Sequence, residues 1–211
     1  MVTGRYETHG SPEGEFQPGS GERVLRNHLE IIDPDEMDRV ELDLLSDFQF
    51  RLYDEIEVDQ RITSRDLVQW HRDWLGPVYP WAGRFRNVNI SKEGFPFLLA
   101  RKIDGEMARF EAEELARWTP CESMRDDRLV QGLAECHVEL MLIHPFRDGN
   151  GRLGRILATV MALQADHPPL DFTLMDVEQR RYIGAIHAGM GRDYRPMESI
   201  FREILFGKRK D

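Results

Sequence analysis

The 211-residue chain has few cysteines, no long apolar run and no excess of positive charge. Two cysteines, Cys121 and Cys136, cannot build a disulfide framework and indicate reduced thiols, which predicts a cytoplasmic protein. No apolar run reaches transmembrane length and the polar start lacks a signal-peptide core, so we expect no membrane partner. The formal net charge of -10 argues against nucleic acid as the main partner, because phosphate backbones select basic surfaces.

The composition is that of a globular protein with a buried core. Hydrophobic residues make up 41% of the chain and charged residues 31%, and the length suits one domain. Apolar residues recur every three or four positions, so we predict an all-α fold with one short β-hairpin. Residues 1–21 lack this periodicity and are rich in glycine and proline, which predicts a flexible segment before a domain at 22–207. Residues 208–211 are expected to be a solvated tail.

A polar segment at residues 144–155 lies between two helical patterns and reads His-Pro-Phe-Arg-Asp-Gly-Asn-Gly-Arg-Leu-Gly-Arg. Gly149 and Gly151 can take positive φ and leave backbone N–H groups open to an anion. The start of the following helix adds the positive end of its dipole. Arg152 and Arg155, three residues apart, share one helix face and can present planar forks to phosphate oxygens. The segment therefore predicts a phosphate-binding loop.

Two further residues of the segment indicate more than bare phosphate. A carboxylate at Asp148 is explained if Mg²⁺ accompanies the phosphates, because this ion prefers one or two carboxylates together with phosphate oxygens. The imidazole of His144 titrates near neutrality and can accept a proton from a nucleophile that approaches the phosphates. The chemistry predicts a site for a metal-complexed nucleotide.

Simpler interpretations of these residues exist. The Asp-Gly and Asn-Gly pairs of residues 148–151 are also strong hairpin-turn signals, although the flanks have helical periodicity. His144, which precedes a proline, could be a structural helix cap. The segment Cys136-His137-Val138-Glu139 contains the His-x-Glu of zinc deaminases but lacks their Pro-Cys-x-x-Cys partner, so His137 is predicted to be a packed helix residue. The absence of Gly-x-x-x-x-Gly-Lys-Ser/Thr excludes a P-loop NTPase.

The segment resembles the signature of the Fic family, His-Pro-Phe-x-Asp/Glu-Gly-Asn-Gly-Arg-x-x-Arg, and matches every specified position. The resemblance implies transfer of AMP from ATP to a Ser, Thr or Tyr hydroxyl of a target protein, with pyrophosphate leaving. By position it implies that His144 is the general base and that Asp148 is the Mg²⁺ ligand. It also implies nucleotide binding by the rest of the segment, that is by Asp148, Gly149, Asn150, Gly151, Arg152, Leu153, Gly154 and Arg155.

Two flanking regions extend the resemblance to about residues 22–207. Residues 79–97 predict a hairpin and are similar to the Fic flap, with its Trp-Ala-Gly-x-x-Arg lead. In the family the flap holds a target segment by strand addition, which implies that Ile90, Ser91 and Lys92 lie nearest the nucleotide and target. The hairpin could instead be only a lid on the core. Tyr182 and Ile183 resemble residues that line the adenine pocket, although Tyr182 could equally be ordinary core.

The chain resembles Fic toxins of the toxin–antitoxin type in its N-terminal lead, residues 24–33. Many Fic proteins restrain themselves with Ser/Thr-x-x-x-Glu-Gly/Asn, whose glutamate pairs with the arginine that corresponds to Arg155. Residues 3–7, 11–15 and 199–203 have the spacing, but the residues that follow are not Gly or Asn. This implies that a small separate antitoxin supplies the glutamate, unless inhibition is absent.

Two other kinds of function fit such a fold: a Fic-fold kinase or other transferase of a phosphate-containing group, and a non-catalytic module. A Fic-fold kinase binds the nucleotide in reverse and replaces the second loop glycine with a larger basic residue, so Gly151 argues against it. A non-catalytic nucleotide-binding interaction module would have lost its base, and His144 and Asp148 argue against that alternative.

Overall fold

The computed structural model describes residues 12–92 and 95–207. Helices dominate these residues, and their order along the chain is α1 (Pro34–Glu55), α2 (Ser64–Leu75), α3 (Ile103–Phe110), α4 (Ala116–Trp118), α5 (Asp126–Ile143), α6 (Asn150–Gln164), α7 (Thr173–Val177), α8 (Gln179–Gly189) and α9 (Arg195–Phe206). Short 3-10 turns occupy Pro12–Gly14 and Ala100–Lys102, and a π-helical turn, Glu111–Leu115, joins α3 to α4.

Local sequence signals set where the first two helices begin. The Asp33 side chain accepts a hydrogen bond from the Glu36 N–H, and Pro34 occupies the first turn of α1. Thr63 and Asp66 form a reciprocal capping box at the start of α2. These caps satisfy N–H groups that the helices themselves leave without partners.

Helix α5 lies at the centre of the core, where it packs against α3, α6, α8 and α9. Its contact with α6 is close because Gly154 has no side chain. A Cβ at this position would lie 2.7 Å from Met141 Cε and 3.1 Å from His137 Cε1. The two helices that flank the polar segment are therefore fixed relative to one another by packing.

The predicted hairpin is present and is shorter than its alternating sequence. Strand β1 (Ser91–Lys92) pairs antiparallel with β2 (Phe95–Pro96), with Ser91 opposite Pro96 and Lys92 opposite Phe95. Residues 93–94, which lie between the two strands in the sequence, are outside the described residues. The prediction of a mainly helical fold with one short hairpin is confirmed.

Part of the segment predicted to be flexible packs onto the domain. The N–H of Gln17 donates to the Val24 carbonyl, and that of Arg26 donates to the Glu15 carbonyl, so residues 15–26 fold back as an antiparallel pair. The sequence analysis missed this pairing because it is short and depends on contacts distant in the chain. Residues 1–11 and 208–211 lie outside the described residues.

Both cysteines are buried, and they form no disulfide with each other. Burial raises the pKa of the Cys121 thiol to about 12 and also raises that of Cys136. Neither thiol is therefore ionised near neutral pH. Within the described part of the chain, no helix is both long and apolar enough to cross a membrane.

Candidate active site

The polar segment forms the predicted loop between α5 and α6. His144 ends α5 in the left-handed conformation, with φ 51°, and its N–H donates to the Leu140 carbonyl. Gly149 also has positive φ, 80°, and a Cβ there would lie 2.8 Å from the Trp74 ring. The expectation of positive φ at Gly151 was wrong, because α6 begins at Asn150 and Gly151 belongs to its first turn. Open space lies where a Gly151 side chain would project.

Asn150 braces this loop from inside. Its Oδ1 accepts from the Phe146 N–H, and its Nδ2 donates to the Phe146 carbonyl, both at 2.8 Å. The side chain is buried, so these bonds shape the loop rather than face solvent.

His144 is held as a neutral imidazole at the edge of the site. Its Nδ1 lies 3.1 Å from the Met141 carbonyl oxygen, and this acceptor fixes the proton on Nδ1 and makes Nε2 the basic atom. Only 6% of the residue is exposed, and the Phe97 ring stacks on the imidazole with centroids 3.8 Å apart. Burial lowers the pKa of His144 to about 3, and the nearby charge of Arg86 acts in the same direction.

Arg86, the arginine of the Trp-Ala-Gly-x-x-Arg lead, ties the flap to the end of α5. Its Nε donates to the His144 carbonyl at 2.8 Å, and its terminal nitrogens donate to the carbonyls of Val88 and Leu98. A buried cation at a helix C-terminus also complements the negative end of the dipole. Arg86 therefore fixes both ends of the flap segment against the loop.

Asp148 lies at the turn between the loop and α6. Its Oδ1 accepts from the Gly149 N–H at 2.6 Å, and its carboxylate is 3.9 Å from Arg152 Nη2. Its carbonyl oxygen is 3.1 Å from Nε2 of His71, a buried residue of α2. The described residues contain no group of three or more metal-ligating side chains. An ion at Asp148 would therefore need further oxygens from a ligand, as phosphates provide.

Arg152 is supported from behind by α1 and α2. Its Nη1 lies 2.8 Å from Oε2 of the buried Glu41, and its guanidinium stacks 4.6 Å from the Trp74 ring centroid. Glu41 Oε1 accepts from the Tyr79 hydroxyl at 2.5 Å. The first motif arginine is therefore oriented by a buried carboxylate and an aromatic face.

Arg155 makes a bidentate ion pair with Asp176 of α7, at 3.1 and 2.5 Å. Residues 199–203, which have the spacing of the inhibitory motif, do not place their glutamate on Arg155. Glu203 of that segment binds Arg181 of α8 instead. Residues 3–7 and Ser11 lie outside the described residues.

A cavity of about 290 Å³ opens between the flap, the motif and α8. Its lining combines residues from all three: Lys92, Phe95, Phe97, Met141, His144, Gly151, Gln179, Tyr182, Ile183, Ile186 and His187. The structure thus brings together Lys92, His144, Gly151, Tyr182 and Ile183 from the predicted set. A larger cleft, about 530 Å³, lies between α2 and α3 and contains no motif residue.

Some predicted residues do not reach this cavity. Leu153 is fully buried in the core, and Gly154 packs α6 against α5. Ile90 is buried below the flap, where its carbonyl accepts from the Phe97 N–H. Ser91 lies in β1, beside Lys92.

The two walls of the cavity are anchored to the core and to each other. The Tyr182 hydroxyl donates to Nε2 of His137 at 2.9 Å, so its polar tip is turned inward. Phe95 of β2 stacks on His187 of α8 with centroids 4.7 Å apart. His137 is buried, as predicted for a packed helix residue.

The sequence analysis missed four residues that hold this site: Glu41, His71, Phe97 and Asp176. Each is distant in sequence from the motif residue that it contacts. The spacing of residues along one helix gives no signal for such contacts, which arise only when elements pack.

Together, the fold and the site define a mainly helical anion-binding domain with a neutral imidazole beside its phosphate-type loop. The model of the Fic/DOC family matches residues 61–162, which include the flap and the whole polar segment. The chain belongs to the Fic/DOC family.

Relatives in the family have lengths both near to and far above that of this chain. The chain is 30% identical over 177 residues to protein adenylyltransferase fic-1 of Caenorhabditis elegans, covering 82% of this chain and 31% of that protein. It is 28% identical over 185 residues to the probable protein adenylyltransferase y4lH of Sinorhizobium fredii, covering 88% and 93%. The chain thus spans about a third of the nematode relative and nearly all of the bacterial one.

The fold also matches that of a solved structure. The BepC protein of Bartonella tribocorum, crystallised with bound AMPPNP, superposes with a TM-score of 0.72 at 20% identity. The match covers 93% of this chain and 98% of that one. At this identity the comparison establishes the shared fold.

Proposed function

We propose that this chain is a protein adenylyltransferase, which transfers AMP from ATP to a Ser, Thr or Tyr hydroxyl of a target protein. The observation that carries the proposal is the state of His144. Its Nδ1 faces the Met141 carbonyl at 3.1 Å, which leaves Nε2 as the atom that can accept a proton, and the ring lines the same cavity as Gly151 at the start of α6. A basic Nε2 beside an anion-binding loop is the arrangement that a hydroxyl attacking phosphorus requires. The names of the fic-1 and y4lH relatives support the same activity.

In the proposed reaction, the target hydroxyl gives its proton to His144 Nε2 as its oxygen attacks the α-phosphorus. The bond from that phosphorus to the bridging oxygen breaks, and pyrophosphate leaves. The first-turn N–H groups of α6, with Arg152 and Arg155, would stabilise the charge on the phosphate tail. Tyr182 and Ile183 would form the wall against the base. Catalysis would then consist mainly of positioning and charge stabilisation by residues 22–207.

Asp148 is the residue proposed to hold Mg²⁺. The donor set fits an ion that arrives with the nucleotide, since one carboxylate needs phosphate oxygens to complete its coordination. When bound, the ion would neutralise charge on the polyphosphate. The proposed role of the chain is to present this carboxylate beside the N-terminus of α6.

The flap would hold the target as an added strand. Lys92 lines the cavity and the short β1–β2 hairpin overhangs it, which supports target binding along Ile90, Ser91 and Lys92. Strand addition reads backbone more than side chains, so the target sequence is left open.

We also propose that the enzyme acts in the cytoplasm as a toxin restrained by a small antitoxin protein. The antitoxin would place a glutamate on Arg155, where Asp176 is now bound. The test is to express the chain alone and with each neighbouring gene, and to measure growth and AMP transfer. A neighbour that restores growth and lowers AMP transfer supports the proposal; no effect from any neighbour would contradict it.

The position of the transferred label tests the activity itself. Purified protein is incubated with lysate and ATP labelled at either the α- or the γ-phosphate. Adenylylation predicts protein labelling from the α position alone. Labelling from the γ position would support the Fic-fold kinase instead. Nucleotide binding without any transfer would favour the non-catalytic interaction module.

A further inference from the structure

His71 of α2 connects the phosphate loop to the start of the flap. Its Nδ1 lies 2.9 Å from the Gly83 nitrogen and accepts that N–H. Its Nε2 must therefore carry the ring proton, and it donates to the Asp148 carbonyl 3.1 Å away. One imidazole thus forms hydrogen bonds with two segments: it accepts from an N–H of the flap lead and donates to a carbonyl of the loop.

The environment holds the ring in this orientation and tautomer. His71 is fully buried and stacks on Phe146 of the motif, with centroids 4.0 Å apart and planes inclined by 9°. With Nδ1 as the acceptor and Nε2 as the donor, the buried ring has one acceptor and one donor in fixed places.

The bond to Asp148 matters because of the peptide group to which that carbonyl belongs. In a trans peptide, the C=O of Asp148 and the N–H of Gly149 point in opposite directions. Gly149 has φ 80° and ψ -3°, the values of the third residue of a type II turn. The related type I turn has φ near -90° there and differs by a flip of this same peptide, which glycine permits.

A flipped Asp148–Gly149 peptide would turn the carbonyl oxygen to the side where the Gly149 N–H now meets the Asp148 carboxylate, and would break the hydrogen bond of that N–H to Asp148 Oδ1. A carbonyl oxygen on that side, beside the start of α6, would repel a phosphate oxygen. We propose that His71 is a positioning residue for polyphosphate binding, which holds this peptide with its carbonyl turned away from the anion. This inference rests on the proposed nucleotide site and adds to it a residue outside the motif. It also explains how the flap lead and the loop keep one relative position, since Gly83 binds the same ring.

Two amide substitutions separate the two hydrogen bonds of His71. In His71→Gln, the side-chain amide nitrogen can occupy the position of Nε2 and retain the donor to Asp148. In His71→Asn, the amide oxygen can occupy the position of Nδ1 and retain only the acceptor for Gly83. His71→Phe retains the stack on Phe146 and loses both bonds. Leu67 is a buried residue of the same helix, and Leu67→Ala is the control for a general loss of stability.

The measurement is the Kd for AMPPNP with Mg²⁺ by calorimetry, with the melting temperature of each variant. We expect His71→Gln to bind within about threefold of wild type, and the Asn and Phe variants to bind about tenfold more weakly. Leu67→Ala should melt at a lower temperature and bind as wild type does. In turnover measurements, we expect the loss of affinity to appear as a higher KM for ATP.

Equal affinity of the wild type and the Phe variant would overturn the inference and leave the proposed function intact. So would equal weakening of the Gln and Asn variants. If the Asn variant fails to fold, the Gln and Phe variants decide the same question. A wild-type protein that binds no nucleotide would overturn the proposed function itself, and this inference with it.

Discussion

Arg155, the last residue of the motif, is held in a bidentate ion pair by Asp176 of α7. Its Nη1 and Nη2 lie 3.1 and 2.5 Å from the two carboxylate oxygens. The guanidinium fork that is proposed to receive a phosphate is thus engaged by a carboxylate of the same chain. A phosphate that binds Arg155 in the same geometry must displace Asp176.

We predict that Asp176→Asn binds ATP more tightly than wild type. The Asp176 side chain is 62% exposed, so the ion pair is weak, and its loss should improve affinity by at most about fivefold. The gain should shrink at high salt, because the competing pair is screened. Calorimetric titration of AMPPNP at low and high ionic strength measures both effects.

Asp47→Asn is the matched control, since it removes an equal charge from an exposed position of α1. The same improvement in both variants would mean that net charge, rather than the Arg155 pair, sets the affinity. Weaker binding by Asp176→Asn would mean that Asp176 orients Arg155 for the nucleotide.

Phe97 covers the imidazole of His144, and its removal should expose that ring. We predict that Phe97→Ala raises the rate of diethylpyrocarbonate modification at His144 several-fold. The variant loses the stack with centroids 3.8 Å apart, and solvent gains access to the buried ring. Peptide mass spectrometry reads the modification residue by residue. The exposed His28 supplies an internal reference whose rate should stay constant.

An unchanged rate at His144 in Phe97→Ala would show that another element covers the ring. In that case the flap would not control access to the base, and Phe97 would be only part of the core.

We expect the free energy of unfolding to depend on pH through His137. His137 is buried between Tyr182 of α8 and Gly154 of α6, near the charge of Arg155. Burial lowers the pKa of His137 to about 4. The unfolded chain, with an ordinary value near 6.5, therefore binds the proton more readily than the folded one. Stability from this group is complete above pH 6.5 and is lost as pH falls toward 4.

A comparison with His137→Gln isolates this contribution, because glutamine does not titrate. Between pH 6.5 and 5, the free energy of unfolding of the wild type should fall by about 1.5 kcal/mol more than that of the variant. Urea denaturation at each pH gives both values. Parallel pH profiles would contradict the assignment of a neutral, buried imidazole at position 137.

Much of the fold could be predicted because its signals are local. The start of α1 at Asp33–Pro34 and the break between α5 and α6 each depend on a few consecutive residues. The hairpin was placed correctly, but its length was overestimated. Val88 and Ile90 alternate with polar residues because their own side chains are buried. Arg86 binds the Val88 carbonyl, and this part of the chain therefore lies outside the strand.

The motif residues could be named from the sequence, but their partners could not. Arg152 and Arg155 were expected to present open forks, and the structure pairs them with Glu41 and Asp176. These carboxylates lie in α1 and α7, and only tertiary packing brings them to α6. Gly151 was named as a residue that can take positive φ, because sequence alone did not place the first residue of α6.

The account depends most on His144 as the base for AMP transfer. The direct measurement compares wild type with His144→Ala, by AMPPNP affinity and by transfer of α-labelled phosphate from ATP to protein. We predict that the variant folds and retains affinity within a few fold, while transfer falls to background. Transfer that persists in the His144→Ala variant at a rate near that of the wild type would contradict the account.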